Sequence, residues 1–307
     1  MADIYHRYIP FGDLHLFQET LMPIKMKKKL LLPTDFSKNA WNAVRYSSEL
    51  YKNEEVDFYL LNAFTVNNFA LDTMMVPEPG EKWYEDAKSR SELGLKKILQ
   101  QIEILNVPSN HTYFTKALFS NPLEAVVKFV EDRDIDIVIA SSKGETDDVN
   151  TILGSNSIDF MEKVRNCPVF MIPSNVPFKE PNEIVFPTSF RTHYKRRELN
   201  YLYDIAKITN APIRILHVSQ EELSKEQKKK KQLLEECFDG LTYTFHFLEK
   251  AEVQTALNLF TQSRNSEMIA FINKKHAFFG SIFSRPMVKE LGFNAKVPVL
   301  VLHDLRN

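Results

Sequence analysis

The residues best suited to chemistry lie in one stretch, IASSKGETDDVNTILGSNS, at 139–157. It holds two of the chain's 8 glycines, Gly144 and Gly154, ten positions apart and directly behind an apolar run. Glycine is used where a backbone must turn tightly or let something approach closely. With the flanking serines the pattern is Ser141-x2-Gly144-x9-Gly154-Ser155. Such a loop, placed after the carboxyl end of a strand, puts backbone N–H groups at the sheet crevice where ligands bind. A helix starting after Gly154 would aim its positive end at the same point, which suits an anion such as phosphate. An ordinary strand–loop–helix connection is the alternative. Glu145, Asp147 and Asp148 make the loop acidic, so a phosphate chain there needs a divalent cation between, or carboxylates turned to solvent.

Other chemistries leave no mark. There is no G-x4-G-K-[ST] loop, no G-x-G-x-x-G behind a strand and no G-x-S-x-G elbow. The eight histidines show no H-x3-H spacing, and Cys167 and Cys237 supply neither a zinc site nor a disulfide framework. Two lone cysteines suit the reducing cytoplasm. His217 closes a strand and reads as a packed or hydrogen-bonded residue rather than a base. The basic run KEQKKKKQLLEE (225–236) could face an anionic partner, but it reads as a solvated helix flank. The Met74–Met75 pair lies in the loop 65–82 and reads as a lid, a partner-binding patch or simple packing.

These positions need a scaffold. The chain has 307 residues, 44% apolar and 26% charged, an ordinary balance for a globular protein with one large core or two modest ones. Its 39 basic and 40 acidic residues give no electrostatic case for nucleic acid. No run reaches the ~18 apolar residues of a membrane span. Strand-like runs alternate with helical patterns. The strands are 28–33, 55–64, 111–119, 136–142 and 167–173. A helix capped by Ser37 buries Ala40, Val44 and Leu50, and a long helix over 83–105 carries a stripe of Leu93, Leu95, Ile98, Leu99 and Ile102. Asn121-Pro122 opens the next helix. Alternation of this kind argues for a parallel α/β sheet.

The pattern then repeats. KKLLLPTDFS (28–37) has its counterpart in NEIVFPTSFR (182–191), and VDFYLLNAF (56–64) in APIRILHVS (211–219). IDIVIASS (135–142) matches SEMIAFIN (266–273), and CPVFMIPSN (167–175) matches VPVLVLHDL (297–305). The copies join near PSNVPFKEPNE (173–183), whose three prolines suit a boundary.

PTDFS, SNPLEAVVKFVEDRDIDIVIASSKG and LGSNSIDFMEKVRNCPVFMIP, together with this repeat, resemble a tandem member of the universal stress protein family. The resemblance covers nearly all of 26–307. It implies two Rossmann-like α/β domains, 26–175 and 181–307, each a five-stranded parallel sheet in the order 3-2-1-4-5 flanked by helices. Residues 1–25 stand as an N-terminal extension, expected to be poorly ordered unless docked. The resemblance further implies a stress-response regulator that binds ATP or a related adenine nucleotide, with Mg2+ as a candidate companion. Its site would gather Pro33, Thr34 and Asp35, with Asp35 on the ribose or adenosine. Ala63 would meet adenine through its backbone, beside Ala140 and Ser141, and Gly144, Gly154, Ser155 and Asn156 would hold phosphate. Ser141 replaces the leading glycine of the family's G-x2-G-x9-G-[ST], which is costly only if the backbone there is left-handed.

The second copy has lost the pattern. Asp35 corresponds to Ser189, Ser141 to Ile272 and Gly144 to Lys275, and Phe278 and Phe279 fill the loop. Lys274-Lys275-His276 reads as a solvated loop more than an anion site. This half is expected to be a structural pseudo-dimer partner, its fifth strand (297–303) pairing with that of the first (167–173). A further homodimer and an unknown protein partner stay open. So does the alternative of a non-nucleotide interaction module with vestigial crevices. No general base stands out, so enzymatic turnover is not expected.

Overall fold

The computed structural model describes residues 27–66, 78–105, 107–144, 153–219, 221–249, 251–273 and 296–303. The expectations for residues 1–25, for Met74 and Met75, for the acidic loop residues and for 274–281 lie outside these.

The first half runs β1 (Lys28–Pro33), α1 (Lys38–Leu50), β2 (Val56–Phe64), α2 (Lys82–Ile104), β3 (His111–Phe119), α3 (Pro122–Arg133), β4 (Ile137–Ser141), α4 (Ser155–Lys163), β5 (Val169–Ile172). The second runs β6 (Ile184–Pro187), α5 (Arg196–Thr209), β7 (Ile213–Val218), α6 (Lys225–Cys237), β8 (Tyr243–Leu248), α7 (Val253–Ser263), β9 (Met268–Asn273), β10 (Val299–His303). Local chemistry sets several boundaries. Ser37 caps α1 by accepting from the Ala40 N–H, and Asn121 caps α3 with Pro122 in its first turn. Ser224 and Gln227 form a capping box on α6.

The strands form one ten-stranded sheet in the order β3-β2-β1-β4-β5-β10-β9-β6-β7-β8. Pairing is parallel within each half. At the centre β10 runs antiparallel to β5, with Val299 opposite Met171 and Val301 opposite Val169. The pairing of the two fifth strands expected from the sequence is present, and it makes the two five-stranded halves one mixed sheet and not two separate sheets. The reason is physical: every residue of β5 and β10 is buried. Leaving either strand as a free edge would expose apolar side chains and unpaired backbone groups together.

Two apolar layers cover the sheet. Leu30, Phe58, Phe170, Phe186 and Leu300 face α1, α2, α5 and α6, while Leu31, Val138, Val169 and Val301 face α3, α4 and α7. Strands buried on both faces explain their nearly continuous apolar runs. The α2 stripe is narrower than its periodicity suggests. Leu95, Ile98 and Ile102 are buried, but Leu93 is 55% exposed, and the small residues Ala87 and Ser91 complete the buried face.

The connection between the halves is anchored. Phe178 packs edge-on against Tyr46 of α1 at 5.1 Å, and the Asn42 amide donates to the Val176 carbonyl at 2.8 Å. Lys179 and Asn182 both bond Glu267. At the entry to β6, buried Glu183 accepts from Arg214 (2.8 Å), Arg264 (2.7 and 2.8 Å) and Ser266 (2.6 Å). Burial alone would raise its pKa; these bonds outweigh burial and hold the carboxyl down at about 2.

Candidate functional site

The carboxyl ends of β1, β2 and β4 open onto one crevice, and each is shaped by local bonds. After β1 the chain makes a tight turn. The Thr34 N–H donates to the Leu61 carbonyl (2.9 Å), and Thr34 Oγ1 accepts from the Phe36 N–H (3.1 Å). The Asp35 carboxylate accepts from the Ser37 N–H at 3.0 Å. Phe36 sits at φ 68°, in the left-handed region that non-glycine residues adopt at a cost. Its ring lies over Gly94 of α2, where a Cβ would come within 2.5 Å of the ring. That close approach accounts for a glycine inside a long helix.

At the end of β2, buried Asn62 is committed at both ends of its amide. It donates to the Thr34 carbonyl (2.7 Å) and accepts from Ser91 of α2 (2.6 Å). The bonds tie β2 to the Thr34–Asp35 turn and place Ala63 at the rim.

Ser141 is the last residue of β4, in register with Ile172 of β5. It is absent from the described left-handed residues, so serine at this position carries no backbone penalty. Its hydroxyl donates to the Lys143 carbonyl (3.1 Å), and its own carbonyl accepts from Ser157 of α4 (3.0 Å). The Gly154 N–H donates to the Ser142 carbonyl at 2.8 Å. These bonds fasten the start of α4 to the end of β4.

Gly154 is the N-cap of α4, at φ −71° and ψ 158°, and no side chain caps the helix. Any residue adopts that backbone, so the glycine serves here by lacking a side chain. The first turn of α4 thus offers N–H groups toward the crevice, together with the positive end of the helix dipole.

A cavity of about 300 Å³ fills the crevice. All ten positions singled out in the sequence line it: Pro33, Thr34 and Asp35 from the β1 turn, Ala63, Ala140 and Ser141 from the strand ends, and Gly144, Gly154, Ser155 and Asn156 around the loop. Leu61, Asn62, Pro122, Val126, Ser157 and Phe160 also line it and were not expected. A polar residue inside the apolar run VDFYLLNAF was the available signal for Asn62. Asp35 is the one titratable side chain in this described lining.

The second half keeps the turn and changes its contents. The Thr188 N–H donates to the Leu216 carbonyl (2.8 Å), Thr188 Oγ1 accepts from the Phe190 N–H (3.2 Å), and Phe190 lies at φ 53°. His217 stands where Asn62 stands in the first half, and its Nδ1 meets the Thr188 carbonyl at 2.7 Å. Its Nε2 has no hydrogen-bond partner among the described residues. Burial lowers the imidazole pKa, so it stays neutral and donates from Nδ1. Phe190, exposed as Phe36 in the first copy, is here fully buried against His217 at 5.0 Å. Phe247 completes the cluster, 5.9 Å from His217 and 6.5 Å from Phe190. Ser189, in place of Asp35, accepts from the Arg191 N–H. His217 is therefore packed and hydrogen-bonded, as its place at a strand end suggested.

Residues 26–173 match the model of the universal stress protein family. A universal stress protein of Methanocaldococcus jannaschii is 25% identical over 147 residues, which is 47% of this chain and 81% of that protein. Among solved structures, a universal stress protein from Archaeoglobus fulgidus aligns with a TM-score of 0.67 at 16% identity, covering 90% of this chain and 98% of that one. A protein of unknown function from Pseudomonas aeruginosa aligns at 0.59 and 10% identity, over 92% and 94%. The structural likenesses carry the fold across both halves; the family match lies in the first.

Proposed function

We propose that the chain is a tandem universal stress protein whose first half, 26–175, binds an adenine nucleotide in the crevice above β1, β2 and β4. The second half, 181–307, has a degenerate crevice and serves as a pseudo-dimer partner across β5 and β10. The observation that carries this reading is the cavity itself. It unites a turn bearing Asp35, small residues at two strand ends and an uncapped helix start, the parts a nucleoside and its phosphate require. Ser141, the one departure from the family's glycine pattern, lies in extended backbone and does not weigh against it.

The protein is read as a regulator and not as an enzyme. The described lining offers one carboxylate and no second titratable side chain to share acid–base work with it. Two buried free thiols fit a reducing compartment such as the cytoplasm, and burial pushes that of Cys167 up to about 12. Among the described residues no helix is long and apolar enough to cross a membrane.

Calorimetric titration of the full chain tests the reading. Binding of AMP or magnesium ATP at one site per chain is expected. Absence of binding by every adenine nucleotide tried would leave the interaction-module alternative.

A further inference from the structure

We propose that the start of α6 and the turn leading into α5 form a basic docking surface on the second half, and that it takes an acidic segment of a partner protein. The inference does not depend on the nucleotide reading. Arg191 of the turn, Lys195 and Arg196 at the start of α5, and Lys225, Lys228 and Lys229 of α6 are all exposed. Two bonds hold the pieces together. The Gln227 amide donates to the Ser189 carbonyl and the Lys230 ammonium to the Arg191 carbonyl, each at 2.9 Å.

Packing does not account for the outer lysines. The buried residues of α6 are Leu234 and Cys237, both in its second half. Lys230 and Lys231 are committed. Lys230 also pairs with Glu226 (2.6 Å), while Lys231 pairs with Glu235 (2.6 Å) and lies over the Phe245 ring at 3.7 Å. Among the described residues, Lys225, Lys228 and Lys229 have no ion pair and no hydrogen bond through their ammonium groups.

Helix stability does not account for them either. The helix dipole favours acidic residues at a start and basic ones at an end. Lys225 opens α6, Glu235 and Glu236 close it, and the acidic residue of its first turn, Glu226, is taken up by Lys230. Its charges thus run against the dipole. α2 lies between β2 and β3 as α6 lies between β7 and β8, and it keeps the favoured order, with Glu81 at its N-cap and Glu85 in its first turn. The capping box of Ser224 and Gln227 lets α6 begin in spite of its lysines. The contrast extends to whole halves. Residues 181–307 carry more basic than acidic side chains, and residues 26–175 the reverse.

Charge complementarity defines the occupant, and the extent of the patch selects among anions. Glu221 and Glu222 precede it in sequence, Glu236 and Asp239 follow it, and all four are exposed. A membrane plane or a long nucleic acid would meet this acidic border along with the lysines. A short run of carboxylates can lie on the lysines alone.

The test is the fluorescence anisotropy of a dye-labelled octaglutamate peptide titrated with the full chain. Saturable binding at about 0.05 M salt is expected, weakened about tenfold or more at about 0.5 M. The combined variant Lys225→Gln, Lys228→Gln, Lys229→Gln should bind about tenfold or more weaker. It should melt at or above the wild-type temperature, because cations have left an unfavourable helix end. Lys96→Gln with Lys97→Gln removes two exposed lysines of α2 and should change binding less than about twofold. No binding at low salt would overturn the inference, as would equal losses in the two variants. A triple variant that melts well below wild type would overturn it by giving the lysines a structural role. Tighter binding of a single-stranded DNA octamer or of phosphatidylserine vesicles would overturn it by assigning the surface to another class of partner. The nucleotide reading stands or falls apart from all of these.

Discussion

Gly154→Asp is expected to lower adenine nucleotide affinity by about 100-fold or more, yet leave the protein as stable as before or slightly more so. Gly154 is the N-cap of α4 in extended backbone, a conformation open to any residue. Aspartate is among the best N-cap residues, and replacing a glycine cap with it gains a few tenths of a kcal/mol. Its carboxylate would accept from the first-turn N–H groups that a phosphate needs. It would also place a second negative charge in a cavity whose described lining holds no cation. Hydrogen bonds to a charged group are worth about 1.5–3 kcal/mol each, so losing one or two, with added repulsion, reaches the stated effect. Titration paired with a thermal melt reads both sides. Unchanged affinity would mean that the phosphate does not lie at α4.

Glu183→Ala is expected to produce the largest loss of stability, about 3–5 kcal/mol, because it strands two guanidinium groups that one carboxylate now holds. Arg214, Arg264 and Ser266 all converge on it. On the usual scale for domains this lowers Tm by on the order of 10 °C. The same group predicts an acid limb. Its folded pKa, about 2, lies below the ordinary glutamate value of 4.5. Its stabilisation is thus complete above about pH 4.5 and is lost as the pH falls toward 2. Denaturant melts from neutral pH downward should show the wild type losing its advantage over Glu183→Ala across that window. A variant as stable as wild type at neutral pH would show that the cluster contributes little.

The local features of this fold were legible because they are written in short windows. Ser37 and Asn121 announce their helices, and the apolar strands announce a sheet covered on both faces. The four matched segment pairs pointed to two halves, which the strand order presents as two parallel runs joined at β5 and β10, and a recognised pattern placed ten residues that the structure gathers round one cavity. What escaped depends on residues far apart in sequence. The bond between Asn62 and Ser91 spans two elements, and Gly94 makes sense only beneath the Phe36 ring. Glu183 meets Arg264 across 81 positions. None of these leaves a periodic trace. Leu93 shows the converse error, since helical spacing marked it apolar while the neighbouring surface needed no side chain there. Whether serine can stand at 141 is likewise not written in residue type, because the backbone conformation there decides whether a glycine is required.

The central claim is that an adenine nucleotide sits in the first half and not the second. Photolabelling the full chain with an azido-adenine monophosphate, followed by peptide mapping, tests it most directly. The account predicts label on peptides from 26–175, near Ala63 or the Gly144–Asn156 loop, and its loss when excess AMP competes. Competable label confined to peptides from 181–307 would contradict it.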